Sequence, residues 1–153
     1  MKIKIISVGN TPPKYIKEIL NGYISRLGNH LKIEFIEIKS DKNTKSTEQK
    51  KLQEAKRILK YTDTDYIISL DENGSSCSSK NFSKKLSNWM QNLPNISFII
   101  GGADGLHKTI KENSNWIWSL SDLTIPHNIV KIILLEQLYR ASTILNHHPY
   151  HRE

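Results

Sequence analysis

The sequence of 153 residues contains a single cysteine, Cys77. One thiol forms neither an internal disulfide nor a cysteine-rich zinc site, which agrees with a reducing compartment. The most apolar stretch, 129–145, is interrupted by Lys131, Glu136 and Arg140, so we do not expect it to span a membrane. The first residues are too strand-like for a secretory signal. These absences predict a cytoplasmic protein.

Acidic residues are also in deficit, with 15 Asp and Glu against 22 Lys and Arg and a net charge of +7. Much of the excess lies in the segment 39–60, where eight basic residues accompany three acidic ones. Such a patch suits a polyanion, and nucleic acid is the commonest polyanion of a cytosol. A solvated, lysine-rich helix face explains the segment equally well, because charge alone carries no specificity.

Short isoleucine-rich runs alternate with segments of helical periodicity along the whole chain. The runs predict strands at 3–8, 33–38, 66–70, 96–100 and 116–120. The intervening segments predict helices that open at Pro12-Pro13, near 47, at Ser78-Ser79, near 106 and at 128. Strands that alternate with helices are typical of an α/β fold with a mostly parallel sheet. We see no repeat or linker in the sequence, and it predicts a single domain over 1–153.

Three predicted loops follow strands at the edge where α/β proteins bind ligands, namely 70–74, 101–105 and 119–126. The glycines of 101–105 would let the main chain approach a ligand closely. This loop matches neither the dinucleotide fingerprint nor a P-loop, and a tight turn that requires glycine explains it as well. The loop 119–126 mixes apolar side chains with hydroxyls, which suits a flat ligand such as an adenosine group.

The last predicted helix is apolar around most of its circumference. One core cannot cover so wide a face, so we expect a second burial surface supplied by a homodimer. Arg140 is a charge within this apolar helix, and it precedes a tail, 147–153, that carries three imidazoles, a phenol and a guanidinium. A frayed, solvated tail is the alternative. Three histidines in so short a loop make a poor metal site, and no metal is predicted.

Five segments of the sequence closely resemble one family, and the resemblance runs from the first strand to the last residue. The segments are IIGGADGL at 99–106, WSLS at 118–121, LTIPH at 123–127, EQLYRA at 136–141 and NHHPYHRE at 146–153. The family is that of the ribosomal RNA large-subunit methyltransferase H enzymes, the pseudouridine N3-methyltransferases of the SPOUT, or α/β-knot, class.

The resemblance implies a parallel sheet with helices on both faces and a C-terminal trefoil knot, with the cofactor-binding knot in roughly 66–153. It implies S-adenosylmethionine as cofactor and a homodimer formed through the knot region and the C-terminal helix. The implied reaction is methylation of N3 of a pseudouridine in 23S rRNA, on the assembled 70S ribosome. A non-enzymatic RNA-binding module would explain the charge but not the three loops.

Carried over from the family, the cofactor contacts fall on the three loops. They are Leu70, Gly102, Ser121, Asp122, Leu123, Thr124, Ile125 and Pro126. Asp122 departs from the small residue expected there, and its carboxylate either meets the ribose hydroxyls or points to solvent.

The catalytic groups are expected in the tail and the helix before it. His148 or His151 would act as the base, Arg140 and Arg152 would stabilise the uracil anion, and Tyr150 would stack on or hydrogen-bond to the target base. The sequence does not decide which imidazole acts.

Overall fold

A computed structural model describes residues 1–40 and 46–152 and contains a five-stranded sheet whose paired strands are all parallel. The strand order is β2-β1-β4-β3-β5. The strands are β1 (Lys2–Val8), β2 (Lys32–Ile38), β3 (Tyr66–Ser75), β4 (Asn95–Ile100) and β5 (Trp116–Trp118). The central strand β4 is almost wholly buried, as expected for a parallel strand covered on both faces.

Five helices connect and follow the strands: α1 (Lys14–Leu27), α2 (Thr47–Thr62), α3 (Ser79–Asn92), α4 (Lys108–Glu112) and α5 (His127–Leu145). Local sequence sets their ends. The hydroxyls of Ser46 and Ser78 accept hydrogen bonds from backbone amides at the starts of α2 and α3. Gly28 follows α1 with φ 72°, a conformation that favours glycine.

The helices form two layers, one on each face of the sheet. α1, α3 and α5 share the larger apolar core, whereas α2 and α4 pack over a smaller one centred on Ile6, Ile58 and Ile99. The predicted α/β fold with a mostly parallel sheet and helices on both faces is confirmed. The knot stays a prediction.

All three tryptophans of the chain lie in one aromatic cluster at the β5 edge of the sheet. The rings of Trp116 and Trp118 stack with centroids 5.0 Å apart, and Trp118 also stacks on Phe82 at 4.6 Å. Trp89 lies 6.1 Å from Trp116 and 5.9 Å from Phe82. The cluster fixes α3 against the strand from which the loop 119–126 emerges.

α5 is covered more fully within its own chain than the sequence suggested. It packs between α1 and α3 on the sheet, which buries Leu134, Leu135, Leu138 and Ala141. Some large apolar side chains remain exposed on α5 and α1, namely Ile129 on α5 and Tyr15 and Ile19 on α1. Among the described residues, no helix is long and apolar enough to cross a membrane.

Two predicted boundaries were wrong, and each correction concerns a candidate loop. β3 does not end at Leu70 but continues to Ser75, with a register shift in its pairing to β5 that leaves 71–74 as a bulge. β5 ends at Trp118 instead of Leu120, so Leu120 belongs to the following loop, where it lines a cleft.

Candidate functional site

Three loops converge at the carboxyl edge of the sheet around a cleft of about 700 Å³. They are the β3 bulge, the glycine-rich loop after β4 and the loop between β5 and α5. The volume lies within the usual range for small-molecule sites. Apolar side chains form much of its wall, including Leu70, Leu106, Leu120, Ile125 and Val130.

Glycine is required where two of these loops pass close to other main-chain atoms. A Cβ on Gly101 would lie 2.9 Å from the carbonyl carbon of Gly105, and one on Gly74 would lie 2.7 Å from the oxygen of Ile117. A Cβ on Gly102 would lie 3.2 Å from Cγ1 of Val8. Gly101 and Gly102 themselves line the cleft, so main-chain atoms form part of its wall there.

The cleft carries charged side chains that are paired with one another. Asp71 on the bulge forms a 2.6 Å salt bridge with Lys111 and accepts a 2.9 Å hydrogen bond from the amide of Asn73. Burial alone would raise the pKa of Asp71, but these two contacts hold it below its usual value. The hydroxyl of Thr124 donates to Glu72 at 3.0 Å and ties the third loop to the bulge.

Most of the expected cofactor contacts line this cleft. They are Leu70, Gly102, Ser121, Leu123, Thr124, Ile125 and Pro126. Asp122 is exposed and is not among the lining residues. The neighbouring Ser121 hydroxyl accepts a hydrogen bond from the amide of Leu123 at 3.1 Å, which stabilises the turn of the loop between β5 and α5.

Sequence reasoning missed several lining residues, among them Lys51, Asp71, Lys111 and His127. Asp71 could have been found, because it directly follows a predicted strand end in a candidate loop. Lys51 and Lys111 come from α2 and α4, and no local pattern connects those helices to the cleft.

The tail folds back on α5 instead of fraying. His147 has φ 55°, and the amide of His148 donates to the carbonyl of Thr143 at 2.9 Å. The ring of Tyr150 then packs edge to face on Tyr139, with centroids 4.8 Å apart. Among the last residues, Tyr150 and His151 are half-buried, while His148 and Arg152 are exposed.

Glu136 joins the tail to α5. Its Oε1 accepts hydrogen bonds from Nε and Nη2 of Arg140, at 2.8 and 2.6 Å, and from the Tyr150 hydroxyl at 3.2 Å. These contacts raise the pKa of Arg140, and burial together with Glu136 raises the pKa of Tyr150, so the phenol stays protonated as a donor. Nη1 of Arg140 lies 3.3 Å from Nδ1 of His151. The sequence placed Arg140 and the tail together but assigned no role to Glu136.

The cleft and the tail of one chain occupy different parts of α5. The last described residue that lines the cleft is Val130, whereas the tail contacts Glu136, Tyr139 and Arg140. Glu136 follows Val130 by six positions, which is about 9 Å along the axis. None of the described tail residues, 147–152, lines the cleft of its own chain.

The basic segment 39–60 is only partly described, because Asp41, Lys42 and Lys45 lie outside the described residues. Lys50 pairs with Asp104 at 3.1 Å, and Lys51 pairs with Glu48 at 3.3 Å. Lys39, Lys56 and Lys60 are exposed. Over 1–40 and 46–152, no group of three His, Cys, Asp or Glu side chains is placed to hold a metal ion.

The chain matches the family described as "Predicted SPOUT methyltransferase" over residues 1–151. It is 43% identical to the ribosomal RNA large subunit methyltransferase H of Methylobacillus flagellatus, with all of both chains covered. In fold it resembles a probable methylase family protein of Haemophilus influenzae, with a TM-score of 0.59, 10% identity, and 99% of this chain and 70% of that chain covered. It also resembles the SpoU methyltransferase AviRb of Streptomyces viridochromogenes, solved in complex with AdoMet, with a TM-score of 0.50, 12% identity, and 90% and 56% covered.

Proposed function

Because the chain belongs to the SPOUT methyltransferase family, among the ribosomal RNA large subunit methyltransferase H proteins, we propose that it methylates N3 of a pseudouridine in 23S rRNA. The methyl donor is S-adenosylmethionine, and the substrate is the assembled 70S ribosome in the cytoplasm. The convergence of the three loops on one cleft, in a chain whose docked tail is rich in proton-transfer groups, is the observation that carries the proposal.

The cleft fits the methyl donor by size and by the chemistry of its wall. Leu70, Leu120 and Ile125 offer apolar surface to an adenine ring, and the main chain at 101–102 offers backbone hydrogen bonds. When bound, the donor would supply an electrophilic methyl group, carried on a sulfonium, for transfer to N3. The protein's task is to align the two reactants and to accept the proton of N3.

The tail supplies groups of the kind that this task requires. His148 is exposed and His151 lies against Arg140, so either imidazole is a candidate to accept the N3 proton. Arg140 and Arg152 would stabilise the negative charge that develops on the uracil ring. Tyr150 is held by Glu136 and Tyr139, which leaves it as a positioning residue for the tail and a candidate to stack on the target base.

A complete site requires two chains. The tail lies about 9 Å or more along α5 from the cleft of its own chain, so we propose a homodimer in which each tail reaches the partner's cleft. The exposed apolar residues Tyr15 and Ile19 in the first two turns of α1 and Ile129 in the first turn of α5 support an interface at these ends of the two helices.

Methyl incorporation from labelled S-adenosylmethionine tests the reaction. We expect incorporation with 70S ribosomes and much less with protein-free 23S rRNA, and mass spectrometry of digested rRNA should find the methyl on N3 of one pseudouridine. A chain truncated after Asn146 should bind the donor but transfer no methyl. Methylation at another atom, or full activity of the truncated chain, would refute the proposed reaction or the role of the tail.

A mixed dimer tests the sharing of sites. One subunit is truncated after Asn146, and the other carries Gly102→Phe, which should disrupt the glycine-rich loop of the cleft because even a Cβ there would lie 3.2 Å from Cγ1 of Val8. Each variant should be inactive as a homodimer. The hybrid should regain about half of the wild-type rate, since one intact cleft then faces one intact tail. An inactive hybrid contradicts sharing across the interface.

A further inference from the structure

We infer that the end of α1 extends the tail into a surface for single-stranded RNA, on which Arg26 contacts a backbone phosphate of the substrate. The inference rests on the proposed function, since it names how that substrate is held. The surface comprises Tyr23, Arg26, Tyr139, Arg140 and Tyr150, and we call it the α1–tail surface.

Arg26 is an exposed cation in the last turn of α1. Its guanidinium carbon lies 6.0 Å from the ring centroid of Tyr23 and 6.0 Å from that of Tyr139. Within 1–40 and 46–152, no acidic side chain forms a salt bridge with it. The guanidinium is therefore positioned by two aromatic rings while its charge is left for an external anion.

A favourable interaction with the end of the helix dipole explains a positive charge at this position, but a lysine would serve as well. The helix dipole does not explain why the guanidinium lies between the ring of Tyr23 on α1 and the ring of Tyr139 on α5. Arginine over aromatic faces is instead the combination that nucleic-acid surfaces use, because it presents a planar fork of donors to phosphate.

The aromatic contacts continue from Arg26 to the tail. Tyr139, which Arg26 approaches, lies 6.2 Å from Tyr23 and 4.8 Å from Tyr150, and the guanidinium of Arg140 lies 4.8 Å from the Tyr150 ring. Rings that alternate with guanidinium groups form the kind of surface that holds single-stranded nucleic acid, with bases on the rings and phosphates on the cations. Glu136 pairs with Arg140, so Arg26 is the unpaired charge of this surface.

The basic helix α2 is the competing candidate for the RNA contact next to the reacting base. Its cations on the cleft side are already paired, Lys50 with Asp104 and Lys51 with Glu48. α2 also packs on the opposite face of the sheet from α1, α5 and the tail. The α1–tail surface therefore fits an RNA strand whose target base is presented to the tail.

The test compares Arg26→Ala and Arg26→Lys with wild type in methyl transfer to 70S ribosomes at several salt concentrations. Loss of one phosphate contact should raise KM for ribosomes about threefold to tenfold and reduce the slope of log KM against log salt by about one. The kcat and the affinity for S-adenosylmethionine should not change. Arg26→Lys should restore most of the salt dependence, because the point charge remains.

Lys14→Ala is the matched control, since Lys14 is an exposed cation in the first turn of the same helix, about 18 Å from Arg26 along the axis. It should leave KM and its salt dependence as in wild type. An unchanged KM in Arg26→Ala, or a dimer that dissociates on gel filtration, overturns the inference; the second result would assign Arg26 to contacts with a second copy. If wild type itself methylates no ribosome, the proposed function fails instead.

Discussion

Glu136 lies one helical turn before Arg140 and is the residue on which the position of the tail depends. One carboxylate oxygen accepts from both Arg140 and Tyr150, and the other accepts from Gln137 at 2.6 Å. Gln137 in turn accepts from the hydroxyl of Ser79 on α3 at 2.6 Å. A continuous set of hydrogen bonds therefore links α3, α5 and the tail.

Replacement of Glu136 by glutamine keeps the shape of the side chain and removes its charge. Charge-assisted hydrogen bonds are about twice as strong as neutral ones, so Arg140 and the tail should lose their fixed arrangement. We expect kcat for methyl transfer to fall by about tenfold or more, which corresponds to roughly 1.4 kcal/mol. Calorimetry should find the affinity for S-adenosylmethionine unchanged. Glu112→Gln, at an exposed site on α4, is the control and should behave as wild type.

The lowered pKa of Asp71 predicts a pH dependence of stability. A carboxyl whose pKa is lower in the folded state stabilises the protein above its unfolded pKa, about 3.9, and this stabilisation is lost as pH falls through the folded value. Because Lys111 is about one-third exposed, solvent screening limits the effect to about 0.5 kcal/mol. Urea unfolding of wild type and Asp71→Asn should differ by this amount at neutral pH and converge below pH 4. If the stability of wild type and of Asp71→Asn differed equally at all pH values, the effect could not be assigned to the ionised carboxylate of Asp71.

At the scale of elements, the cleft depends on loops that glycine allows to pass close together. The loop after β4 returns on itself, and the amide of Gly105 donates to the carbonyl of Gly102 at 3.0 Å. The N-terminal end of α5 completes the wall with Pro126, His127 and Val130. The ligand site therefore consists of the ends of elements whose positions are fixed by the sheet below them.

Gly101→Ala tests this dependence. Its Cβ would lie 2.9 Å from the backbone of Gly105, so the loop must move, and we expect the affinity for S-adenosylmethionine to fall about tenfold, roughly 1.4 kcal/mol. Gly22→Ala in α1 is the matched control, because a Cβ there meets no atom within 4 Å. It should leave binding intact and stabilise the fold by about 0.5–1 kcal/mol. Equal affinities for wild type and Gly101→Ala would contradict a close approach at 101–105.

At the scale of the whole molecule, the periodicity of apolar residues sufficed to predict the order of strands and helices. It could not place the bulge at 71–74, because that bulge depends on the contact of Gly74 with Ile117 on another strand. Nor could it identify Lys51 and Lys111 as cleft residues, since they reach the site from α2 and α4 only after the layers have packed. The motifs located the loops that form the cleft, whereas long-range packing determines which other side chains line it.

The grouping of the tryptophans gives the molecule a built-in optical reporter. Trp89, Trp116 and Trp118 are the only tryptophans of the sequence, and they lie within one cluster next to the loop that follows β5. Fluorescence excited selectively at tryptophan therefore reports on this edge of the sheet, and we expect binding in the cleft, which the loop after β5 lines, to change that fluorescence without an added label. The tail carries no tryptophan of its own, so this emission originates entirely at the β5 edge of the sheet.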